Sequence, residues 1–244
     1  MSDASRPNPR DFRKRLLACE PLLGTFLKTP TSHHTEILGS IGFDFVMLDE
    51  EHAPWGRRDL QAGFLAGRAF GTAGFVRISR PDAASILQVL DSGAIGIMVP
   101  HVSSAKMARN IASWARYRAG DYGKRGADDH YDFTDSLTTV IAVIEDCEAL
   151  DRIDEIMAVD GIDAFFIGRG DLGLSLSNRL GPKPTVEEVT LNVFQGPSRD
   201  RDQGYRTRWM LKQVQHDAFF WECLLTTTFQ PSGVDCQRLR ADNH

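Results

Sequence analysis

The chain has 244 residues, a net charge of −5, 42% hydrophobic and 25% charged residues, the balance of a globular α/β domain. With no basic stripe to cover phosphates, nucleic acid is not an expected partner. No window reaches the ~18 apolar residues of a membrane span, so a membrane is not expected either. Cys19, Cys147, Cys223 and Cys236 show no CxxC spacing, and the lead MSDASRPNPRDFRKRL has no apolar signal core. Both features predict a reducing, cytoplasmic location.

Residues 1–20 are a polar lead-in with a short amphipathic helix over 10–19. A first strand is predicted over 22–27. A helix over 31–40 follows, capped by Ser32 and closed by Gly42. The second strand, 43–48, ends abruptly in Asp49, Glu50, Glu51 and His52, and Pro54 forbids helix at Ala53. A helix over 57–70 leads to a third strand, 74–78, which carries Arg77. Pro81 and Asp82 open a helix through Leu90, proline suiting the first turn. A strand over 94–99 stops at Pro100. Ser103 or Ser104 caps a helix through Ala115. Residues 117–137 lack periodicity and read as a long loop. A fifth strand, 137–144, a helix over 147–157 and a sixth strand, 162–167, lead into GRGDLG.

Six strands thus alternate with helices, and each strand is a continuous apolar run. Both facts predict a parallel sheet covered by helices. An open doubly wound sheet and a (β/α)8 TIM-type barrel both fit that pattern. Polar residues at the carboxyl ends of strands two, three, five and six favour the barrel, where they converge on one mouth.

The rhythm stops near residue 190. Six of the eight glutamines fall after that point, so the composition itself changes, and no seventh or eighth strand with a polar end is legible. One run, 218–229, is apolar enough for strand or helix. The expected architecture is therefore an incomplete barrel of about six βα units over 21–190, with 191–244 as a separate tail. That tail reads as a non-native continuation produced by a frameshift or truncated reading frame, with a divergent C-terminal elaboration as the alternative. Sequencing the locus tests this: a one-base shift should restore an in-frame barrel continuation, and its absence would dismiss the idea.

The strand ends carry the chemistry. Asp49, Glu50, Glu51 and His52 crowd beside a core, where polar groups are costly without a task. His52 is the general-base candidate among the histidines, because imidazole accepts a proton near neutrality. Asp91, in LQVLDSGAIGIM, is a candidate to orient it, although Asp-Ser-Gly is also an ordinary helix stop. Arg77 can fork onto a substrate carboxylate or pair with an acid such as Asp49. Glu145 and Asp171, one at each of two strand ends, suit a divalent cation whose remaining ligands are waters and substrate oxygens. Asp146 and Glu148 compete with Glu145 on spacing alone. Gly168 and Gly170 let backbone approach a ligand closely, but GRGDLG lacks a dinucleotide fingerprint. His33, His34 and His101 are weak signals.

LDEEHAP, FVRIS with PDAASILQVLDSGAIGIMVPHV, VIAVIEDCEAL and VDGIDAFFIGRGDLGLSL, taken together, resemble the HpcH/HpaI aldolase family. The resemblance covers roughly residues 20–180. It implies a class II aldolase of the pyruvate/phosphoenolpyruvate barrel superfamily, acting in aromatic or sugar acid catabolism. Such an enzyme cleaves a 4-hydroxy-2-oxo acid to pyruvate, or a related 2-oxo acid, and an aldehyde. By that resemblance Glu145 and Asp171 hold Mg²⁺ or Mn²⁺, with Co²⁺ as an alternative. Arg77 binds substrate and stabilises the enolate, and Gly168 and Gly170 lie against it. His52, oriented by Asp91, is the base; Asp49 supports the constellation, while Glu50 and Glu51 fall on the rim. A homo-oligomer is the family expectation. The sequence departs from the family at Val143, where relatives often carry glutamine, and after residue 190. Alternatives are an acyl-CoA lyase of the citrate-lyase β or malyl-CoA type, and a truncated, inactive family member.

Overall fold

The computed structural model describes residues 8–117, 128–180, 209–215 and 218–220. Six parallel strands form a curled sheet: β1 (Leu23–Leu27), β2 (Phe45–Asp49), β3 (Ala73–Arg77), β4 (Gly96–Val99), β5 (Thr139–Ile144) and β6 (Ala164–Ile167). Each pairs in register with the next. Helices α2 (Ser32–Ser40), α3 (Arg57–Phe70), α4 (Ala83–Asp91), α5 (Ala105–Trp114) and α6 (Asp128–Leu137) fill the first crossovers. The last crossover holds α7 (Cys147–Leu150) and α8 (Ile153–Met157), and α9 (Arg169–Leu180) follows β6. This is a TIM-type barrel complete through six βα units.

Two further strands are antiparallel partners of one another. β7 (Trp209–Gln215) runs parallel to β6, and β8 (Ala218–Phe220) lies antiparallel to both β7 and β1. The ring is thus closed by a hairpin where a regular barrel has two more βα units. The sequence reading misses β7, because WMLKQVQ mixes Lys212, Gln213 and Gln215 with apolar residues and so lacks the continuous apolar run expected of a buried parallel strand; β8 opens the run 218–229 read as strand or helix, the rest of which lies outside the described residues.

Strand periodicity of two divides the core in two. Val46, Leu48, Val76, Ile97, Val99, Val140, Ala142, Ile144, Phe165 and Ile167 point outward and pack under the helices. Phe45, Met47, Phe75, Met98, Ile141, Val143 and Phe166 point into the barrel. Helix α1 (Phe12–Leu17) plugs the amino end of that interior with Phe12 and Leu16. The Phe12 ring meets those of Phe45 and Phe75 edge-on, at 5.4 and 4.6 Å between centroids. The interior is tight at Gly96. A Cβ on Gly96 would stand 2.4 Å from both the Phe75 ring and the Thr139 carbonyl oxygen.

Three local expectations change. Thr31 caps α2, accepting from the His33 N–H, where Ser32 was expected to do so. Residues 128–137, read as loop, form α6; its polar text DDHYDFTDSL hides the periodicity that apolar spacing would reveal. The helix expected over 147–157 is broken by a turn at Asp151 and Arg152. No helix among the described residues is long and apolar enough to cross a membrane.

Candidate active site

The inward parity of β2, β3 and β5 continues one step beyond the apolar core and delivers Asp49, Arg77 and Glu145 to the carboxyl mouth. Asp49 and Arg77 are direct cross-strand partners. Asp49 is fully buried. Its carboxylate takes Arg77 Nε at 2.8 Å and Nη2 at 2.6 Å, a two-pronged pair. The guanidinium also lies 4.7 Å from the centroid of the Phe26 ring. Asp49 therefore fixes Arg77, and among the described residues no acceptor takes the Nη1 protons. The pairing and the substrate-binding readings of Arg77 do not compete, since Asp49 occupies Nε and Nη2 and no acceptor among the described residues occupies Nη1.

The loop after β2 is pinned at three points. Glu50 N–H donates to the Arg77 carbonyl at 3.0 Å. His52 N–H donates to Asp49 Oδ1 at 3.3 Å. The buried Trp55 donates its indole N–H to the Leu27 carbonyl at 2.8 Å. This holds the His52 ring at the lip, half exposed, with Nε2 3.8 Å from Glu51 Oε2. Burial pushes the Glu50 carboxyl above its ordinary range, with the Ser79 N–H opposing.

Glu51 and His101 are more central than the sequence indicates. Glu51 is the next same-parity residue after Asp49. Its side chain is 13% exposed, with Oε2 3.2 Å from Arg77 Nε. That is a charge contact and not a hydrogen bond, because the Nε–H is already directed at Asp49 and Glu51 Oε2 is buried without a donor. His101 follows Pro100 at the end of β4 with a left-handed backbone, φ 57°. That conformation aims its N–H at Glu145 Oε1, 2.8 Å away. Its ring contacts Asp146 at 3.2 Å and Glu145 at 3.5 Å. Burial lowers the affinity of the imidazole for a proton, but the acids Glu145, Asp146 and Glu51 outweigh it and the net direction is upward.

Glu145 is 3% exposed. Burial raises its pKa; the His101 N–H and imidazole oppose this, while Glu51 and Asp171 add to it. Gly168 makes the pocket possible, since a Cβ there would stand 2.6 Å from Glu145 Oε2. Among the described residues nothing lies within 4 Å of the corresponding point on Gly170. Asp171 sits exposed in the first turn of α9 and reaches Glu145 through its charge. Glu51, His101 and Glu145 offer ligand atoms all within 4.8 Å of one another.

Asp91 is not brought to this mouth. It is the last residue of α4, which runs back along the sheet to the amino end of β4. His52 stands at the opposite end of the strands, so within one chain the carboxylate beside its ring is Glu51.

The model of the HpcH/HpaI aldolase/citrate lyase family matches residues 22–190. A 2-keto-3-deoxy-L-rhamnonate aldolase of Shigella sonnei (strain Ss046) is 36% identical over 179 residues, covering 68% of this chain and 66% of that protein. A hydroxypyruvate/pyruvate aldolase of Roseobacter denitrificans is 32% identical over 178 residues, covering 68% of this chain and 69% of that one. The chain thus spans about two thirds of the length of the curated relatives it matches. Among solved structures, the citrate synthase SbnG superposes with a TM-score of 0.69 at 30% identity, covering 75% of this chain and 76% of that one. An HpcH/HpaI aldolase from Desulfitobacterium hafniense DCB-2 gives 0.68 at 29%, with the same coverage. The matched stretch holds every strand-end residue described above, and the chain belongs to the HpcH/HpaI aldolase/citrate lyase family.

Proposed function

We propose that the mouth cleaves a 4-hydroxy-2-oxo acid into a 2-oxo acid, pyruvate or a close relative, and an aldehyde. The observation that carries this reading is Arg77, held by the buried Asp49 at the end of β3, with the buried Glu145 at the end of β5 at the same mouth. Retro-aldol cleavage requires a cationic donor at an oxygen that gains charge and a base at the hydroxyl that loses its proton. The Nη1 edge of Arg77 binds the 2-oxo acid oxygens. His52 takes the proton of the 4-hydroxyl. The C3–C4 bond breaks, the aldehyde departs, and the electron pair remains as an enolate across C2 and C3. A proton delivered to C3 then gives the 2-oxo acid. Pre-fixing Arg77 on Asp49 spares the transition state the reorganisation of that charge.

The residues present fit a divalent cation. Glu145 is a buried carboxylate beside two further acids, an arrangement whose cost a cation removes. Glu145 and Asp171 would hold Mg²⁺ or Mn²⁺, hard ions suited to oxygen donors. When bound, the ion supplies Lewis-acid stabilisation of the enolate.

The test is release of 2-oxo acid from 4-hydroxy-2-oxoheptanedioate and from 2-keto-3-deoxy sugar acids, with Mn²⁺ or Mg²⁺, before and after EDTA. Metal-dependent release is expected; none from a folded preparation would overturn the reading. The likeness to a citrate synthase favours one second reading, carbon–carbon bond formation onto a 2-oxo acid. Turnover only in the condensing direction would select it.

A further inference from the structure

We infer that a cavity at the amino end of the barrel, walled by Arg10, Arg68 and Phe133, binds a small carboxylate that carries an apolar body. The cavity holds about 450 Å³, a size typical of small-molecule sites. It lies at the far end of the strands from the catalytic mouth. Ala94 and Ile95 of its wall lead into β4, and Thr138 leads into β5. Three elements distant in sequence enclose it: the turn Pro9–Asp11 ahead of α1, the last turn of α3, and α6.

The charge of the wall has one sign. Arg10 and Arg68 are the only charged residues among the described residues that line it. Asp91, two residues before Gly93, is not part of the wall. A cleft lined by like charge concentrates the counter-ion, here an anion. Each guanidinium is positioned by a contact that spares most of its donors. Arg10 lies over the Phe133 ring, 5.5 Å from its centroid, a cation–π contact that takes up no N–H in a hydrogen bond. Arg68 gives Nη2 to the Gly93 carbonyl at 3.2 Å. Gly93 permits that approach, with φ at 108° and a point for Cβ only 2.5 Å from the same Nη2. Nε and Nη1 of Arg68 have no acceptor among the described residues. Guanidinium donors in this state suit a carboxylate, which they grip in pairs.

The apolar part of the wall sets the rest of the ligand. Phe133 leaves 47% of its surface exposed, and Ile95 and Leu137 add hydrocarbon beside it. A bare anion would satisfy the arginines and leave that surface in water. An aryl or branched alkyl group on the acid covers it.

Calorimetric titration of the full chain in EDTA with sodium phenylacetate, acetate and phosphate tests this. Phenylacetate should bind with a dissociation constant of ~1 mM or below. Acetate and phosphate should bind at least about tenfold more weakly, for want of the ring. Arg10→Gln removes no hydrogen bond from the fold and should weaken phenylacetate on the order of tenfold. Phe133→Ala should act similarly. Arg68→Gln should do the same, with its melting curve taken beside it because the Gly93 contact goes too. Arg77→Gln, at the mouth, should change the affinity by less than about twofold. If Arg77→Gln abolishes binding while Arg10→Gln leaves it intact, the acid sits at the mouth and the inference fails. Acetate or phosphate matching phenylacetate would overturn the ligand class. No heat of binding at ~10 mM phenylacetate would overturn the site itself.

Discussion

Replacing Glu145 with glutamine should lower metal-dependent release of 2-oxo acid on the order of a thousandfold without lowering the melting temperature. The activity side follows from position. Two buried acids stand at the mouth; Asp49 is committed to Arg77, and Glu145 is the one proposed to hold the cation. Lewis-acid stabilisation is worth several kcal/mol, and at ~1.4 kcal/mol per tenfold that is on the order of 10³ in rate. The stability side follows from its charge. Burial, reinforced by Glu51 and Asp171, raises the Glu145 pKa in the folded chain. The folded state then holds the proton more tightly than the unfolded state. The stability tied to this group is therefore fully present below the ordinary glutamate value and is lost as pH rises through the folded value. Above that folded value, and in EDTA, the ionised side chain is a burden, and the neutral amide removes it while keeping an oxygen for the His101 N–H. Scanning calorimetry at pH 7, beside the activity assay, checks both halves. A variant that keeps full activity would remove Glu145 from the metal site.

The barrel was legible in the sequence because its signal is local. Each of the six parallel strands is a continuous apolar run bounded by turn residues, and each mouth residue stands where such a run ends. Asp49 facing Arg77 was within reach for the same reason, the two residues ending adjacent strands in register. Glu51 reads as a rim residue because the acids after β2 look equivalent when read singly. Counting in twos from Asp49 returns Glu51 to the inward side, whereas Glu50 turns its backbone to Arg77 and its carboxylate toward Ser79. His101 reads in the sequence as a lone histidine. Its role depends on Glu145, 44 residues away, and on a left-handed backbone that no pattern in VPHV announces. Asp91 ends α4, whose direction carries it to the amino end of the barrel, away from the His52 of its own chain; the sequence pattern marks it as a polar helix end but names no partner for it.

Replacing Asp163 with alanine should destabilise the fold by about 3–5 kcal/mol while leaving the mouth chemistry intact at temperatures where the variant stays folded. Asp163 precedes β6 at the amino end of the barrel, the end where barrels keep stability apart from catalysis. Its side chain is 4% exposed and serves four donors. Oδ1 takes Arg13 Nε at 3.1 Å and Nη2 at 2.7 Å, tying the α1 plug to the sheet. Oδ2 takes the Val140 N–H at 2.9 Å and Arg116 Nη2 at 3.4 Å. Arg116 is itself buried, and burial lowers its pKa against the support of Asp163. Removing the carboxylate leaves that guanidinium with only the carbonyls of Ala115, Thr138 and Gly161 among the described residues, and leaves the Val140 N–H without its acceptor. An uncompensated buried charge dominates the cost; an orphaned N–H adds about 1–3 kcal/mol where water cannot reach it. For a chain of this size the melting temperature should fall on the order of 10 °C. Asp163→Asn separates the two contributions, since its amide oxygen can still take the Val140 N–H. It should recover the smaller, hydrogen-bond share and leave the larger, ionic share lost. An alanine variant melting within about 2 °C of the wild type, below even one kcal/mol for this size, would show that α1 is held to the barrel by its apolar plug alone.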